Sequence, residues 1–248
     1  MASSSEKKLS GKVALITGAS RGIGRAIAAA YTRAGASVFI CGRDQSVVAT
    51  AVNELGANGS AIDGAAGDIG SPDDAKRIVQ GALKRFATID VLVNNAGILG
   101  PREAIADYSI AAWDEVIRIN LTGLFLITHE VLPVMLARRS GSIINVTSGV
   151  GRVGKAKWGA YAVAKAGLEG FTQVLADEVK SFGIRVNSVN PAATRTRMRA
   201  AAYPAEDPMI LPVAESITPI FVYLASDESL GVTGQALDAR DWVDPEKS

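Results

Sequence analysis

Short apolar runs alternate along the chain with longer amphipathic stretches. The runs are Val13–Ile16, Val38–Ile40, Val91–Val93, Ile143–Val146 and Val186–Val189. Each is mostly β-branched and bounded by Gly, Asn or Ser, which is the pattern of strands buried on both faces of a parallel sheet. A weaker strand, diluted by Ala and Gly, is predicted around 60–67, and Gln235–Leu237 reads as a last short one. Between them, residues 23–34 place Ile23, Ile27 and Ala30 at helical spacing, and residues 45–55 form a second helix ending near Gly56. Ser71-Pro72-Asp73-Asp74 opens a third, with Ser71 as cap and Pro72 in the first turn. Two long helical stretches follow, 111–138 and 158–182, the latter closed by Gly183, and a further helix is predicted near 213–225. Strand and helix in regular order predict an α/β fold, a doubly wound parallel sheet with right-handed crossovers flanked by helices. No linker or repeat divides the chain, so residues 11–238 read as one domain. Residues 1–10 read as a flexible tail and 239–248 as an extension without strand pattern.

Composition narrows the chemistry. With 248 residues, 48% of them apolar, the chain can bury a core without disulfide or metal staples. Lys+Arg is 26 against Asp+Glu 25, a net charge of +1, which argues against a nucleic-acid binder relying on bulk charge. One Cys and one His leave no intramolecular disulfide, no Cys-based zinc site and no multi-histidine metal site. No apolar run is expected to reach the roughly 18 residues of a membrane span, and the polar start, Met1 to Lys8, does not read as a secretory signal. The expectation is a soluble cytoplasmic protein without nucleic-acid or membrane partners.

The glycines then matter by position. Thr17-Gly18-Ala19-Ser20-Arg21-Gly22-Ile23-Gly24 lies between the first strand and the first helix. A Gly-rich turn there lets the backbone approach a pyrophosphate, and the helix N-terminus favours its charge. The reading is therefore a Rossmann-type nucleotide site, and the absence of Gly-Lys-Ser/Thr disfavours a P-loop NTPase. The end of the second strand reads Ile40-Cys41-Gly42-Arg43-Asp44. Gly42 stands where an NAD site would place its ribose acid, and Arg43, with Arg21, offers cations for the 2′-phosphate of NADP(H). Asp44 reads alternatively as the cap of the next helix or as the ribose acid.

Tyr161-Ala162-Val163-Ala164-Lys165 puts a phenol and an ammonium at i and i+4 on one helix face. An ammonium beside a phenol lowers its pKa, and a phenol so tuned can protonate a carbonyl or deprotonate an alcohol. Ser148 follows the fifth strand, at the sheet edge where open parallel sheets bind ligands, and Asn120 lies between Ile119 and Leu121 in the long 111–138 stretch. Each of these alone reads as helix surface, turn or satisfied amide. Their joint occurrence changes the weighing.

On these residues the chain resembles the short-chain dehydrogenase/reductase family over roughly residues 10–238. The glycine loop (Gly18, Ser20, Arg21, Gly22, Ile23, Gly24) resembles the family's cofactor motif, Asn94-Asn95-Ala96-Gly97 its second signature, and Asp68, beside Ile69, its adenine-contacting acid. Asn120, Ser148, Tyr161 and Lys165 match its catalytic tetrad in order and spacing. The resemblance implies NADP(H), with Asn95, Ala96 and Gly97 along the cofactor and Pro191, Thr194 and Thr196 at its nicotinamide end. It implies Tyr161 as general acid/base and Lys165 lowering the Tyr161 pKa and binding the nicotinamide ribose. Ser148 would polarise the substrate carbonyl, and Asn120 would hold a water that links Lys165 to solvent. No metal is implied. It also implies a homo-oligomer, tetramer or dimer, with the two long helices at an interface.

Two places depart from the family pattern. Ala192 replaces the Gly of the usual Pro-Gly after the sixth strand, placing a Cβ where Gly would permit unusual backbone angles. The C-terminal Asp-Gly-Gly is absent. Six cations, Arg152, Lys155, Lys157, Arg195, Arg197 and Arg199, are expected to ring the substrate mouth and attract an anionic thioester. Trp158, Val150, Ile98 and Leu99 suit either an apolar pocket wall or ordinary core. The chain resembles 3-oxoacyl-thioester reductases and a bacterial branch of short-chain oxidoreductases with unassigned substrates. Reduction of a 3-oxoacyl thioester leads, with a small ketone, quinone or steroid as the alternative carbonyl or alcohol. Nucleotide-sugar epimerases and non-catalytic nucleotide-sensing modules on this fold are weaker readings. His129 reads as a packed or surface residue, and Cys41 as buried or beside the adenosine.

Overall fold

The β-branched runs become the strands of one parallel sheet. In the computed structural model, which describes residues 8–243, the strands are β1 (Val13–Ile16), β2 (Ser37–Gly42), β3 (Ile62–Ala66), β4 (Val91–Asn94), β5 (Gly141–Val146), β6 (Ile184–Asn190) and β7 (Ala236–Asp238). Their order is β3-β2-β1-β4-β5-β6-β7, all neighbours parallel. Every residue of β1, β4 and β5 is buried, as a sheet covered on both faces requires. β3 is only half-buried along its length, which is why its sequence signal is weak. The order reverses between β1 and β4, so the carboxyl ends of these strands open a crevice at the switch point.

The helices form two layers. α1 (Gly22–Arg33) and α9 (Thr218–Ala225) cover one face, burying Ile27, Tyr31, Ile220, Phe221 and Leu224 against β1 and β4. α2 (Gln45–Gly56) packs beside them through Val48 and Ala51. On the other face lie α3 (Pro72–Phe86), α4 (Ile110–Ile117), α5 (Gly123–Arg138) and α7 (Gly159–Val179). The short α6 (Gly149–Arg152) and α8 (Arg197–Ala202) sit at the crevice edge. α3 begins as its sequence predicts. Ser71 accepts from the Asp74 amide, Pro72 opens the helix, and Asp73 and Asp74 complement the dipole.

Three expectations change. First, the 111–138 stretch is not one regular helix: a π-helical turn, Arg118–Thr122, joins α4 to α5. Second, residues 1–7 lie outside the described residues, but the remainder of the expected tail is anchored. Leu9 is fully buried against α1 and α9, its amide donates to the Ala34 carbonyl at 2.9 Å, and Lys8 pairs with Glu228 at 2.7 Å. At the other end, the Ala239 amide donates to Asn190 and the Trp242 ring lies 5.5 Å from Tyr223, while residues 244–248 are outside the described range. Third, Ile110–Arg138 and Pro208–Ala225 are long and apolar enough to cross a bilayer, contrary to expectation. In the fold the first is α4, the π-helical turn and α5, and the second is two short 3-10 turns followed by α9; they contribute Val116, Ile127, Val131 and Met135 to the core on one face and Ile220, Phe221 and Leu224 on the other.

Candidate active site

The glycine loop is built by close backbone approach. The Thr17 hydroxyl accepts from the Asn95 and Ala96 amides, both at 3.0 Å, and Asn95 Nδ2 donates to the carbonyls of Thr17 (2.9 Å) and Gly18 (3.1 Å). These contacts tie the loop after β1 to the end of β4. Gly18 sits at φ +64°, and a Cβ there would come within 2.7 Å of Ala96 Cα. A Cβ on Gly24 would come within 2.6 Å of the Gly18 carbonyl, so both positions need glycine for space. α1 starts with no side-chain cap on its first amides and no acid in its first turn. The residues therefore fit a dinucleotide pyrophosphate: a tight turn, bare amides and the positive end of a twelve-residue helix. A cavity of about 260 Å³ lies beside this loop, between Gly22 and Arg25 on α1 and Arg195 and Val213 opposite, and not at Tyr161.

At the end of β2, Gly42 approaches Ser20 so closely that a Cβ would lie 2.9 Å from its hydroxyl. Arg21 and Arg43 are both exposed here. Asp44 is the cap of α2, its Oδ1 accepting from the Ser46 amide (2.8 Å), the Ser46 hydroxyl (2.6 Å) and the Val47 amide (3.1 Å). The Ser46 hydroxyl, these amides and the charge of Arg21 hold the Asp44 carboxyl below its ordinary range. Cys41 is buried within the sheet, and burial pushes its thiol up to about 12.

Asp68 follows β3 at the same crevice. Its Oδ1 accepts from the Gly70 amide at 2.9 Å and its Oδ2 from Arg118 Nη1 at 2.7 Å. Arg118, on the π-helical turn, was not legible as a site residue, because its partner lies fifty positions away in sequence. Ile69 is buried beneath this corner, against the position where Gly123 lacks a Cβ.

The four expected catalytic residues sit at the carboxyl edge of the sheet, but not all four connect. Ser148 directly precedes α6 and acts on the Tyr161 phenol of α7, lowering its pKa against the effect of burial. Lys165, one turn along α7, donates to the Val146 carbonyl at 2.6 Å, with its Nζ 5.8 Å from the Tyr161 ring centroid. Asn120 lies in the π-helical turn and grips one neighbour: Oδ1 accepts from the Ile98 amide and Nδ2 donates to the Ile98 carbonyl, both at 2.8 Å. Its side chain fixes the segment after Asn95-Ala96-Gly97. Beneath, Asn94 donates to Thr128 and Asn145, and Asn145 to Thr172, an amide chain that ties the sheet centre to α5 and α7.

The electrostatics also differ from expectation. Burial pushes the Tyr161 phenol above its ordinary value, and Ser148 acts against this. Lys165 is itself buried, and desolvation brings it down to about 8 against the opposing charge of Glu169.

Around the mouth, two of the six cations are neutralised by carboxylates and a third is held by backbone carbonyls. Arg152 pairs with Glu169 (3.1 Å) and Asp238 (2.5 Å), Arg199 with Glu206 (2.7 Å), and Arg195 donates to the Met209 and Leu211 carbonyls. Lys155, Lys157 and Arg197 are exposed and make no ion pair among the described residues. Arg102, not singled out from sequence, stacks on Trp158 and Tyr203 and donates to the Ala202 carbonyl at 2.6 Å. On the last segment, Pro191 and Thr194 are buried, Thr196 caps α8 opposite Gly22, and Ala192 stands at φ +58°. His129 is exposed on α5, beside Phe125.

A sequence profile of the short chain dehydrogenase family matches residues 12–207. The chain belongs to this family. Within it, the uncharacterized oxidoreductase YciK of Escherichia coli K12 is 37% identical over 237 residues, covering 94% of this chain and 93% of the relative. A 3-oxoacyl-[acyl-carrier-protein] reductase of Synechocystis is also 37% identical, over 93% of this chain and 96% of its own. Among solved short chain dehydrogenases, one from Escherichia coli CFT073 complexed with NADPH superposes with a TM-score of 0.91 at 35% identity, covering 95% of this chain and 99% of the other.

Proposed function

We propose that this short chain dehydrogenase transfers a hydride between NADP(H) and a carbonyl or alcohol substrate. The observation that carries the reading is the convergence of Ser148, just past β5, on Tyr161 of α7, with Lys165 buried one turn away and tied to the end of β5 through the Val146 carbonyl. The backbone of Gly18, Ser20, Gly22, Ile23 and Gly24 would hold the pyrophosphate. Arg21 and Arg43 would hold the 2′-phosphate, Asp68 and Ile69 the adenine, Asn95, Ala96 and Gly97 the middle of the cofactor, and Pro191, Thr194 and Thr196 its nicotinamide end. When bound, NADP(H) supplies or accepts the hydride at its nicotinamide ring.

The chain's own residues manage the proton. A phenol held above its ordinary pKa stays protonated near neutral pH and can donate to a carbonyl oxygen as that oxygen gains charge. Ser148 donates to the same oxygen and orients it. The Lys165 ammonium favours the phenolate that remains and would meet the nicotinamide ribose. Asn120 fixes the segment that continues from the cofactor strip.

The 3-oxoacyl thioester remains the leading substrate, supported by the named Synechocystis relative and by the exposed Lys155, Lys157 and Arg197. A second reading, an apolar ketone, is favoured by the wall of Trp158, Tyr203, Val150 and Met198 against Tyr161. The test is NADPH consumption on acetoacetyl thioesters, simple and cyclic ketones, quinones and steroids. Thioester rates well above ketone rates support the first reading, and the reverse supports the second. No oxidation of NADPH with any of them removes the functional proposal. Exposed Phe125, Val163 and Val174 on α5 and α7 support a homo-oligomer, which light scattering would show as a dimer or tetramer mass.

A further inference from the structure

Glu169 stands one helical turn beyond Lys165, so Tyr161, Lys165 and Glu169 share one face of α7 at i, i+4 and i+8. It is a buried carboxylate with only 9% exposure, which is costly unless paired and hydrogen-bonded. Both its oxygens are held: Arg152 Nε donates to Oε1 at 3.1 Å and the Ser188 hydroxyl to Oε2 at 2.6 Å. Arg152 is gripped from its other side by Asp238, Nη1 donating to Oδ2 at 2.5 Å. Asp238 Oδ1 accepts from Asn190 Nδ2 at 2.5 Å, and Asn190 Oδ1 from the Ala192 amide at 3.0 Å. A chain of charges and amides therefore runs from the catalytic helix, through the end of α6 four residues after Ser148, to the last strand. From there it returns to the loop bearing Thr194 and Thr196.

We infer that Glu169 is a positioning residue for Lys165: its fixed negative charge keeps the buried ammonium protonated, and Arg152, anchored by Asp238, sets how strongly that charge is felt. The inference rests on the catalytic reading of Tyr161 and Lys165 above. Among the described residues, the charged or titratable groups around Lys165 are few. Tyr161 and Glu169 lie on its own helix and Arg152 on α6. β5 and β6 turn uncharged Asn145 and Ser188 toward α7. The acids of α4, Asp114 and Glu115, are exposed, and Arg118 of the π-helical turn is drawn to Asp68. Glu169 is thus the carboxylate placed to offset the desolvation of Lys165, whose pKa burial lowers and Glu169 raises.

The test is the titration of Lys165 itself, followed by NMR on full-length protein carrying isotope-labelled lysine, with the signal assigned by its loss in Lys165→Met. Glu169→Gln is expected to move the titration down by about one pH unit, a tenfold change in the dissociation constant. Arg152→Gln is expected to move it up, because the carboxylate loses its competing cation. Glu169→Asp, which keeps the charge, is expected to restore most of the native value. Opposed shifts from two disruptions of one ion pair are not what simple loosening of the fold produces. Coincident titrations of Glu169→Gln and native protein, or shifts of both variants in one direction, overturn the inference. Should Glu169→Gln fail to fold, Arg152→Gln decides alone: a titration at or below the native one overturns it. The titration needs no turnover, so the stated shifts without NADPH-dependent reduction of any carbonyl would support the Glu169 assignment while overturning the functional reading.

Discussion

The Arg102 guanidinium lies 4.4 Å above the Trp158 ring, and Trp158 in turn packs 5.6 Å from Tyr161. Arg102 also faces Tyr203 at 5.1 Å and donates to the carbonyls of Lys157 and Ala202. It joins the loop after β4, the loop before α7 and the end of α8 over the catalytic hydroxyls. Arg102→Ala is expected to cost about 1–2 kcal/mol of stability. It is also expected to raise KM more than it lowers kcat, because it frees the substrate segment without touching Tyr161. Denaturant unfolding and steady-state kinetics check both, and an unchanged KM would remove Arg102 from the pocket wall.

Ala192 carries the strain its sequence position suggested. At φ +58° its Cβ pays roughly 1–2 kcal/mol that glycine avoids, offset in part by the greater unfolded freedom of glycine. Ala192→Gly is expected to stabilise the protein by about 0.5–1 kcal/mol, read as a higher Tm. A lower Tm would mean that the left-handed conformation is not what the native chain holds.

How much of this was legible beforehand depended on distance along the chain. The strands β1, β4 and β5 were readable because burial on both faces forces continuous β-branched runs. The Tyr161–Lys165 face was readable because i,i+4 spacing is local. Leu9 was not, since one apolar residue in a polar stretch has no period, nor was the π-helical turn, across which apolar spacing continues. The ion pairs Arg118–Asp68, Arg152–Glu169 and Arg152–Asp238 join residues 50, 17 and 86 positions apart. No local pattern announces such partners, so all six cations at the mouth looked available when Arg152, Arg195 and Arg199 were committed.

Leu9 offers a check on the boundary of the domain. Its side chain is fully buried, so Leu9→Ala is expected to cost about 2–5 kcal/mol, measured by urea unfolding. A change below about 0.5 kcal/mol, the level of an exposed position, would return this segment to a solvated tail.

The depressed Lys165 gives a pH signature. Its ammonium is lost as pH rises through about 8, so the rate of carbonyl reduction is expected to fall there. The unfolded chain keeps that proton up to the ordinary lysine range, so this group makes stability rise with pH between about 8 and 10.5. Lys165→Met is accordingly expected to exceed native stability most near neutral pH, with the gap closing in alkali. A gap independent of pH would contradict the buried charge.

Cofactor preference turns on the end of β2, where Asp44 is occupied as a helix cap and Arg43 and Arg21 are exposed. Arg43→Ala is expected to weaken NADPH binding about ten- to hundredfold while leaving NADH binding little changed. Fluorescence titration with both nucleotides measures it, and equal losses for the two would displace Arg43 from the 2′-phosphate.

The most direct test of the account removes one oxygen. Tyr161→Phe keeps the buried ring against Trp158 and deletes the hydroxyl on which Ser148 acts. Turnover of the best carbonyl substrate should fall by at least about a hundredfold, the scale of positioned acid–base catalysis, while titrated NADPH affinity stays within about twofold of native. Near-native turnover in that variant would contradict the assignment of Tyr161 as the proton donor.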